Sequence, residues 1–246
     1  MPYDLSPGAM AFMALAFLVA AFVRGYSGFG FSALVVAASG VVTNPLNFVA
    51  VVMICEFLMT FQLIGPAMAR VSWWRVVTLM LGAMVGVPLG LWALTGIGAE
   101  AARAVVAIYV LVMCAALLAG WTLRAEAGRV AHVGAGLISG LANAAGMGGL
   151  PVAVFFAAQP IAAAVFRATL IAYFAALDIF TLPVMWGHGL VTRDTLIVTA
   201  ASLPVVGLGV WLGGRHFLRT EPQSFRRFAI YLLAGLALMG LARSLL

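Results

Sequence analysis

The sequence has little charge and no lysine. Only 8% of its 246 residues are charged and 65% are hydrophobic, whereas an ordinary soluble domain is roughly 25% charged. This composition excludes a soluble fold. All 13 basic residues are arginine, and they are dispersed between apolar stretches rather than gathered with aromatic residues on one polar element. Nucleic-acid binding is therefore not expected.

Residues that ligate metals are also scarce. The two cysteines, Cys55 and Cys114, lie inside apolar runs and form no CxxC pair. No two of the three histidines share a ligand spacing. The sequence thus predicts no disulfide framework, no metal site and no cofactor.

Long apolar runs are what the chain has instead. About 20 apolar residues in a helix cross a hydrocarbon core of about 30 Å. Six runs of this length are bounded by Arg, Pro, Gly or acidic residues, which predicts an all-α integral membrane protein. They cover residues 47–66, 73–95, 103–122, 163–185, 194–213 and 226–245.

Two further apolar segments are interrupted by glycine. Residues 9–42 are broken by the stretch 24–30, and as one helix of 34 residues they would reach about 51 Å, too long for a single span. Residues 131–158 are broken in the same way by the stretch 140–151. Both segments are predicted to be discontinuous helices.

The two breaks align at an offset of 118 residues, which places Gly28 on Gly146 and Gly30 on Gly148. Proline-marked turns and helix ends recur at nearly the same offset, at Asn44-Pro45, Gln159-Pro160, Pro66 and Pro183. We therefore predict a duplication within one membrane domain, with repeats 1–124 and 125–246. Each repeat would contain one broken segment and three transmembrane helices.

Arginine placement predicts how the broken segments run. If each crosses the membrane once, six loop arginines face one side and five the other. If each turns back as a re-entrant hairpin, eight fall on one side and three on the other, as the positive-inside rule requires. The hairpin arrangement inverts the two repeats, puts both termini outside and brings the two hairpin tips together near the midplane.

A glycine-rich break at membrane depth suits a ligand site. Unpaired backbone groups survive there only when protein or a water-filled cavity covers them. The free N–H groups at the start of a half-helix attract anions, and glycine lets the backbone approach a ligand. The alternative is that glycine merely permits close helix packing, which we favour for Gly82, Gly86 and Gly90.

The paired motifs Gly28-Phe29-Gly30 and Gly146-Met147-Gly148-Gly149-Leu150-Pro151 resemble those of the TauE/SafE sulfite exporter family. The resemblance spans essentially the whole chain. It implies a multi-pass permease of the bacterial inner membrane. It also implies movement of small sulfur-containing oxyanions such as sulfite or organosulfonates, and in some members of other organic anions.

Four charges lie inside apolar segments, where a charge usually faces a cavity or a partner. Arg24 and Arg167 are candidates for contacting the anion, although Arg167 could also snorkel to the interface. Glu56 and Asp178 either carry coupled protons or neutralise the arginines in buried pairs. Ser27 and Asn143 either bind oxyanion oxygens or cap a half-helix. The predicted substrate site is completed by the backbone of Gly28, Gly30, Gly146, Gly148 and Gly149.

The favoured prediction is a secondary transporter, acting as an exporter, with an anion held between the two breaks. Its expected partners are the small anion, the lipid bilayer and a coupled proton or cation, and a homo-oligomer is compatible with the sequence. A membrane-embedded enzyme is the first alternative. It would have to use Glu56, Asp178 and Asn143, and we expect no enzyme because no catalytic constellation is present. The second alternative is a membrane assembly subunit that transports nothing.

Overall fold

The computed structural model describes residue 3, residues 5–96 and residues 98–217. Throughout these residues the regular structure is helical, without strands. Short 3₁₀ turns at Pro45–Phe48 and Met68–Arg70 flank the third helix. The helices in chain order are α1 (Pro7–Ser27), α2 (Phe31–Val42), α3 (Val49–Ala67), α4 (Trp73–Thr95), α5 (Ala99–Ala119), α6 (Arg129–Asn143), α7 (Gly149–Ala157), α8 (Ala163–Gly187) and α9 (Arg193–Phe217).

Five of these helices are long and apolar enough to cross a membrane, namely α1, α3 with its preceding turn, α4, α8 and α9. Helix α4 is an example of their exposed apolar surface. Leu81, Val85, Leu89 and Trp92 follow one another along its outer face and are 49–79% exposed. Such a stripe needs lipid around it, and the prediction of an all-α integral membrane protein is confirmed.

The predicted spans agree with the observed helices to within a few residues. The prediction of 73–95 coincides with α4, and 163–185 and 194–213 fall within α8 and α9. Pro183 does not close its helix as predicted, because α8 continues to Gly187 with this proline inside it. Membrane helices tolerate such prolines, since neighbouring groups satisfy the freed carbonyl. The predicted helix 226–245 lies outside the described residues.

The first broken segment is a hairpin with unequal arms. The Tyr3 ring, just before α1, packs on Phe48, just after α2, with 5.5 Å between centroids, so both ends of the hairpin lie together. Helix α1 has 21 residues and is about 32 Å long. The segment was expected to be a re-entrant hairpin, and its first arm, α1, has the length of a full span.

The second broken segment is a shorter hairpin. Residues before α6 pair with residues after α7: Leu123 donates its N–H to the carbonyl of Ala158, and Ala127 donates to Gln159 Oε1 at 2.9 Å. The arms have 15 and 9 residues. Its break spans residues 144–148, inside the predicted stretch 140–151. Both arms are shorter than the roughly 20 residues of a full span, and re-entrance of this hairpin stays a prediction.

The two hairpins enter from opposite ends of α8. The base of the second hairpin ends at Gln159, just before α8 begins at Ala163. The base of the first lies near the far end of α8, because Tyr3 donates its N–H to Asp194 at the start of α9. Opposite entry is what an inverted duplication would produce, and the duplication itself stays a prediction.

The tips of the hairpins do not meet. At the first break, a Cβ on Gly28 would touch Arg167, whereas Asn143 beside the second break donates to Thr181. Residues 167 and 181 both belong to α8 and are 14 positions apart, about 21 Å along the helix axis. The expectation of tips in contact at the midplane is therefore wrong, because α1 is long enough to carry its tip past the centre.

Glycines set the closest helix contacts. A Cβ on Gly82, Gly86 or Gly90 of α4 would collide with the backbone of α6, so the packing role expected for this trio is confirmed. Helices α1 and α9 meet in the same manner, since a Cβ on Gly209 or Gly213 would collide with the α1 backbone. Each hairpin thus packs its first arm on a helix of the other half of the chain.

Arginines gather at one end of the bundle. Arg75 forms an ion pair with Glu126 at 2.6 Å near the base of the second hairpin, and Gly213, two residues before Arg215, packs on the final turns of α1. Apart from Arg24 and Arg167, which lie inside apolar segments, the described arginines divide five against two. The arginine-rich face has Arg70, Arg75, Arg124, Arg129 and Arg215, and the opposite face has Arg103 and Arg193.

Candidate functional site

The side chain of Arg24 is the centre of the candidate site. It lies in the last turn of α1 and is 0% exposed. Its Nη1 donates to Glu56 Oε1 of α3 at 3.0 Å, and its guanidinium lies over the Phe174 ring of α8, 4.8 Å from the centroid. In the described part of the chain its Nε and Nη2 have no hydrogen-bond partner. Two donors of a buried cation are thus unsatisfied, which is costly at this depth.

Glu56 lies between Arg24 and the beginning of α2. Ser32, in the first turn of α2, presents its backbone N–H and its hydroxyl to the Glu56 carboxylate. Glu56 is 5% exposed, so its carboxylate is buried among these donors. A helix start that faces a negative charge is an anion site by its electrostatics, and here a side chain of the protein occupies it.

Helix α8 supplies the third wall of the site. Phe174, Asp178 and Thr181 are spaced by four and three residues, so they share one face of the helix. Asp178 is 1% exposed and interacts electrostatically with both Glu56 and Arg24. Its Oδ2 has no hydrogen-bond partner in the described structure. A second carboxylate therefore faces the same guanidinium.

Hydrogen bonds anchor the second break to α8. Asn143 Nδ2 donates to Thr181 Oγ1 at 2.9 Å. Tyr173 Oη donates to Ser139 Oγ at 2.8 Å, and that hydroxyl donates to the carbonyl of Gly148 at 2.6 Å. All of these side chains are buried. The second hairpin is consequently held against the helix that carries Phe174 and Asp178.

The aligned glycines Gly28 and Gly146 share a backbone conformation that explains their residue type. Their φ angles are 83° and 73°, in the left-handed region that glycine adopts without steric cost. Gly30 and Gly148, the other aligned pair, differ, with φ angles of 93° and −57°. At Gly148 the constraint is space instead, because a Cβ would lie 2.7 Å from Asn143 Oδ1.

A cavity of about 200 Å³ opens beside the first break. Arg167 lines it and donates from Nη2 to the carbonyl of Gly25 at 2.8 Å, so this arginine lies on the hairpin rather than extending to the interface. Its guanidinium also interacts electrostatically with Arg24. Ser27 and Gln159 add polar groups, among aromatic walls of Tyr26, Phe29, Phe156 and Phe166. The cavity lies toward the arginine-rich face, at the start of α8.

The residues predicted for the site fall into three neighbouring groups. Ser27, Gly28, Gly30 and Arg167 lie at the first break, and Asn143, Gly146, Gly148 and Gly149 lie at the second. Arg24, Glu56 and Asp178 form the charged centre between them. Gly149 connects the second group to this centre, since its Cβ would meet the Phe174 ring at 3.0 Å.

Two of the predicted polar residues already have local partners. Ser27 Oγ lies 2.8 and 2.9 Å from the carbonyl oxygens of Val23 and Phe29 and can donate its one proton to either. Asn143 uses its amide on Thr181. Of the two carboxylates expected either to pair with an arginine or to carry protons, Glu56 is paired with Arg24, and a proton-carrying role stays a prediction.

Several residues of the site were missed by sequence reasoning. Ser32, Ser139, Tyr173 and Thr181 are ordinary polar residues in apolar helices, and only their tertiary partners single them out. Phe174 was not distinguishable from other aromatics. A usable signal was the spacing of Phe174 and Thr181 around Asp178, which places all three on one helix face.

The described helices define a polytopic membrane protein built around two oppositely directed broken hairpins with a buried charged centre. The sulfite exporter TauE/SafE family model matches residues 13–240, most of the chain. The chain belongs to this family of membrane transporters for sulfite-type anions, as its glycine motifs predicted. Comparison with curated proteins and with solved structures gave no match.

Proposed function

We propose that the protein exports a small sulfur oxyanion, sulfite or an organosulfonate, across the bacterial inner membrane. The observation that supports this most directly is the buried Arg24 guanidinium with two unsatisfied donors, next to the start of α2. A planar, permanently charged group with several N–H donors suits an oxyanion. Family membership favours a transporter over a membrane-embedded enzyme or an assembly subunit.

In this proposal, the cavity at the first break admits the anion from the arginine-rich face. Arg167 lines the cavity and interacts electrostatically with Arg24, so a positive potential continues from the mouth to the centre. Phe174 and Phe29 supply apolar walls for the organic part of a sulfonate. The positive-inside rule places the arginine-rich face in the cytoplasm, which makes the cavity an intracellular mouth.

The two hairpins are proposed to move relative to each other during transport. Helix α6 packs backbone to backbone on α4, and α1 packs in the same manner on α9. Each pair is therefore expected to move as a rigid unit. The charged centre lies where α1, α2, α3 and α8 converge, so a shift between the pairs would expose it to one side and then to the other.

Flux through proteoliposomes tests the proposal. Vesicles loaded with labelled sulfite or sulfoacetate should release it in a saturable manner with the natural protein. In the Arg24→Gln variant this flux should fall at least about tenfold, since one charge-assisted contact contributes roughly 1.5–3 kcal/mol. Arg75→Gln is the matched control, because Arg75 is also a buried arginine paired with a glutamate but lies far from the centre. Saturable flux that is equal in both variants would refute the site.

A further inference from the structure

The charged centre contains its own anion. The Glu56 carboxylate accepts from Arg24 Nη1 and faces the N–H and hydroxyl of Ser32. These donors are the ones an oxyanion would seek at the start of α2. A substrate anion cannot take them while the charged carboxylate remains in place, because two anions would then share one buried pocket.

The charged and titratable groups near Glu56 come from three helices. Arg24 of α1 and Asp178 of α8 interact with it electrostatically, and Cys55 is its neighbour on α3. Arg167 of α8 interacts with Arg24 from the other side. With two arginines and two carboxylates charged, the centre is formally neutral. An added monovalent anion would leave an uncompensated negative charge at membrane depth, which is expensive.

We infer that Glu56 is the resident anion of the Arg24 pocket and that a substrate anion replaces it there as Glu56 takes up a proton. The inference rests on the proposed function and adds to it that anion binding is coupled to proton uptake. Protonation removes the charge of Glu56 and weakens its hold on Arg24 and Ser32. The anion then occupies those donors, and the centre regains neutrality. Anion and proton are thus bound together, one proton with each monovalent anion.

Asp178 has a different part in this arrangement. It faces the same guanidinium, but no hydrogen bond to Arg24 is formed, and its Oδ2 is unpartnered in the described structure. It therefore competes less directly for the donors that the anion needs.

Isothermal titration calorimetry on purified protein in nanodiscs tests the inference. The probe is ethanesulfonate, whose sulfonate stays ionised from pH 5 to 9. Titration in two cationic buffers of different ionisation enthalpy, bis-Tris and Tris, gives the number of protons taken up. We expect about one proton per anion, with affinity falling about tenfold per pH unit above the titration range of Glu56, as proton linkage requires.

Variants identify the group that accepts the proton. Glu56→Gln should bind ethanesulfonate at least as tightly as the natural protein, with no proton uptake and no dependence on pH. Glu126→Gln, the same change at the surface pair with Arg75, should keep the uptake. If Glu56→Gln does not fold, Asp178→Asn decides the question, because proton uptake by Glu56 should persist in that variant.

The outcomes separate the inference from the proposed function. Ethanesulfonate binding without proton uptake in the natural protein would overturn the inference and leave the anion site intact. Uptake that persists in Glu56→Gln and vanishes in Asp178→Asn would also overturn it. Absence of binding to any folded form, for sulfite as well as ethanesulfonate, would overturn the proposed function itself.

Discussion

Replacing Arg24 by glutamine should destabilise the protein by about 3–5 kcal/mol, because it leaves a buried carboxylate without its cation. The side chains of Arg24 and Glu56 are 0% and 7% exposed, so water cannot compensate either charge. The double variant Arg24→Gln/Glu56→Gln removes both charges and should recover much of this loss. A double-mutant cycle should then give a coupling near the upper end of the range of about 0.5–3 kcal/mol.

The ion pair of Arg75 with Glu126 is the internal control for this cycle. Its nitrogen–oxygen distance of 2.6 Å is no longer than that of the Arg24–Glu56 pair, but the Glu126 side chain is 52% exposed. Solvent screening should therefore limit its coupling to about 0–1 kcal/mol. Unfolding in mixed micelles, followed by circular dichroism, measures both cycles. A coupling of Arg24 with Glu56 no larger than that of the control would refute the burial argument.

The same cycle separates a structural pair from a functional one. The double variant should regain stability but not anion flux, because the pocket then has no guanidinium. Restored flux in the double variant would show that Arg24 serves only to neutralise Glu56.

Two further predictions concern packing and sidedness. On α6, Gly136→Ala should destabilise by more than about 2 kcal/mol through overpacking, because its Cβ would collide with Leu79 of α4, whereas Gly134→Ala meets open space and should stabilise by up to about 1 kcal/mol. Unfolding of the two variants side by side checks this, and equal effects would contradict the role of glycine in that contact. Single cysteines at positions 125 and 189, introduced after replacing the buried Cys55 and Cys114, should label from the cytoplasm and the outside, respectively. Labelling of both from one side would contradict the proposed topology.

Much of the fold follows from local physics. A membrane helix must be long and apolar, so the spans 73–95 and 163–185 could be located from composition alone. The breaks were recognisable because a helix of 34 residues does not fit the bilayer. Glycines at 28 and 146 indicated where the chain would turn, and both have the left-handed conformation that favours this residue.

The lengths of the hairpin arms could not be predicted from the local sequence. Nothing local distinguishes α1, which has the length of a full span, from a half-helix that ends sooner. The difference depends on what each arm packs against, and α1 packs along α9 through glycine contacts at Gly209 and Gly213. That packing carries the first tip past the middle of the bundle and separates it from the second.

The sequence by itself determined that this is a helical membrane protein with two glycine breaks and a few charges at depth, because hydrophobic length and backbone freedom are properties of short segments. The tertiary structure alone decided which charges meet. Arg24, Glu56 and Asp178 are on three helices, and only the packing of α1, α3 and α8 places them in one buried pocket.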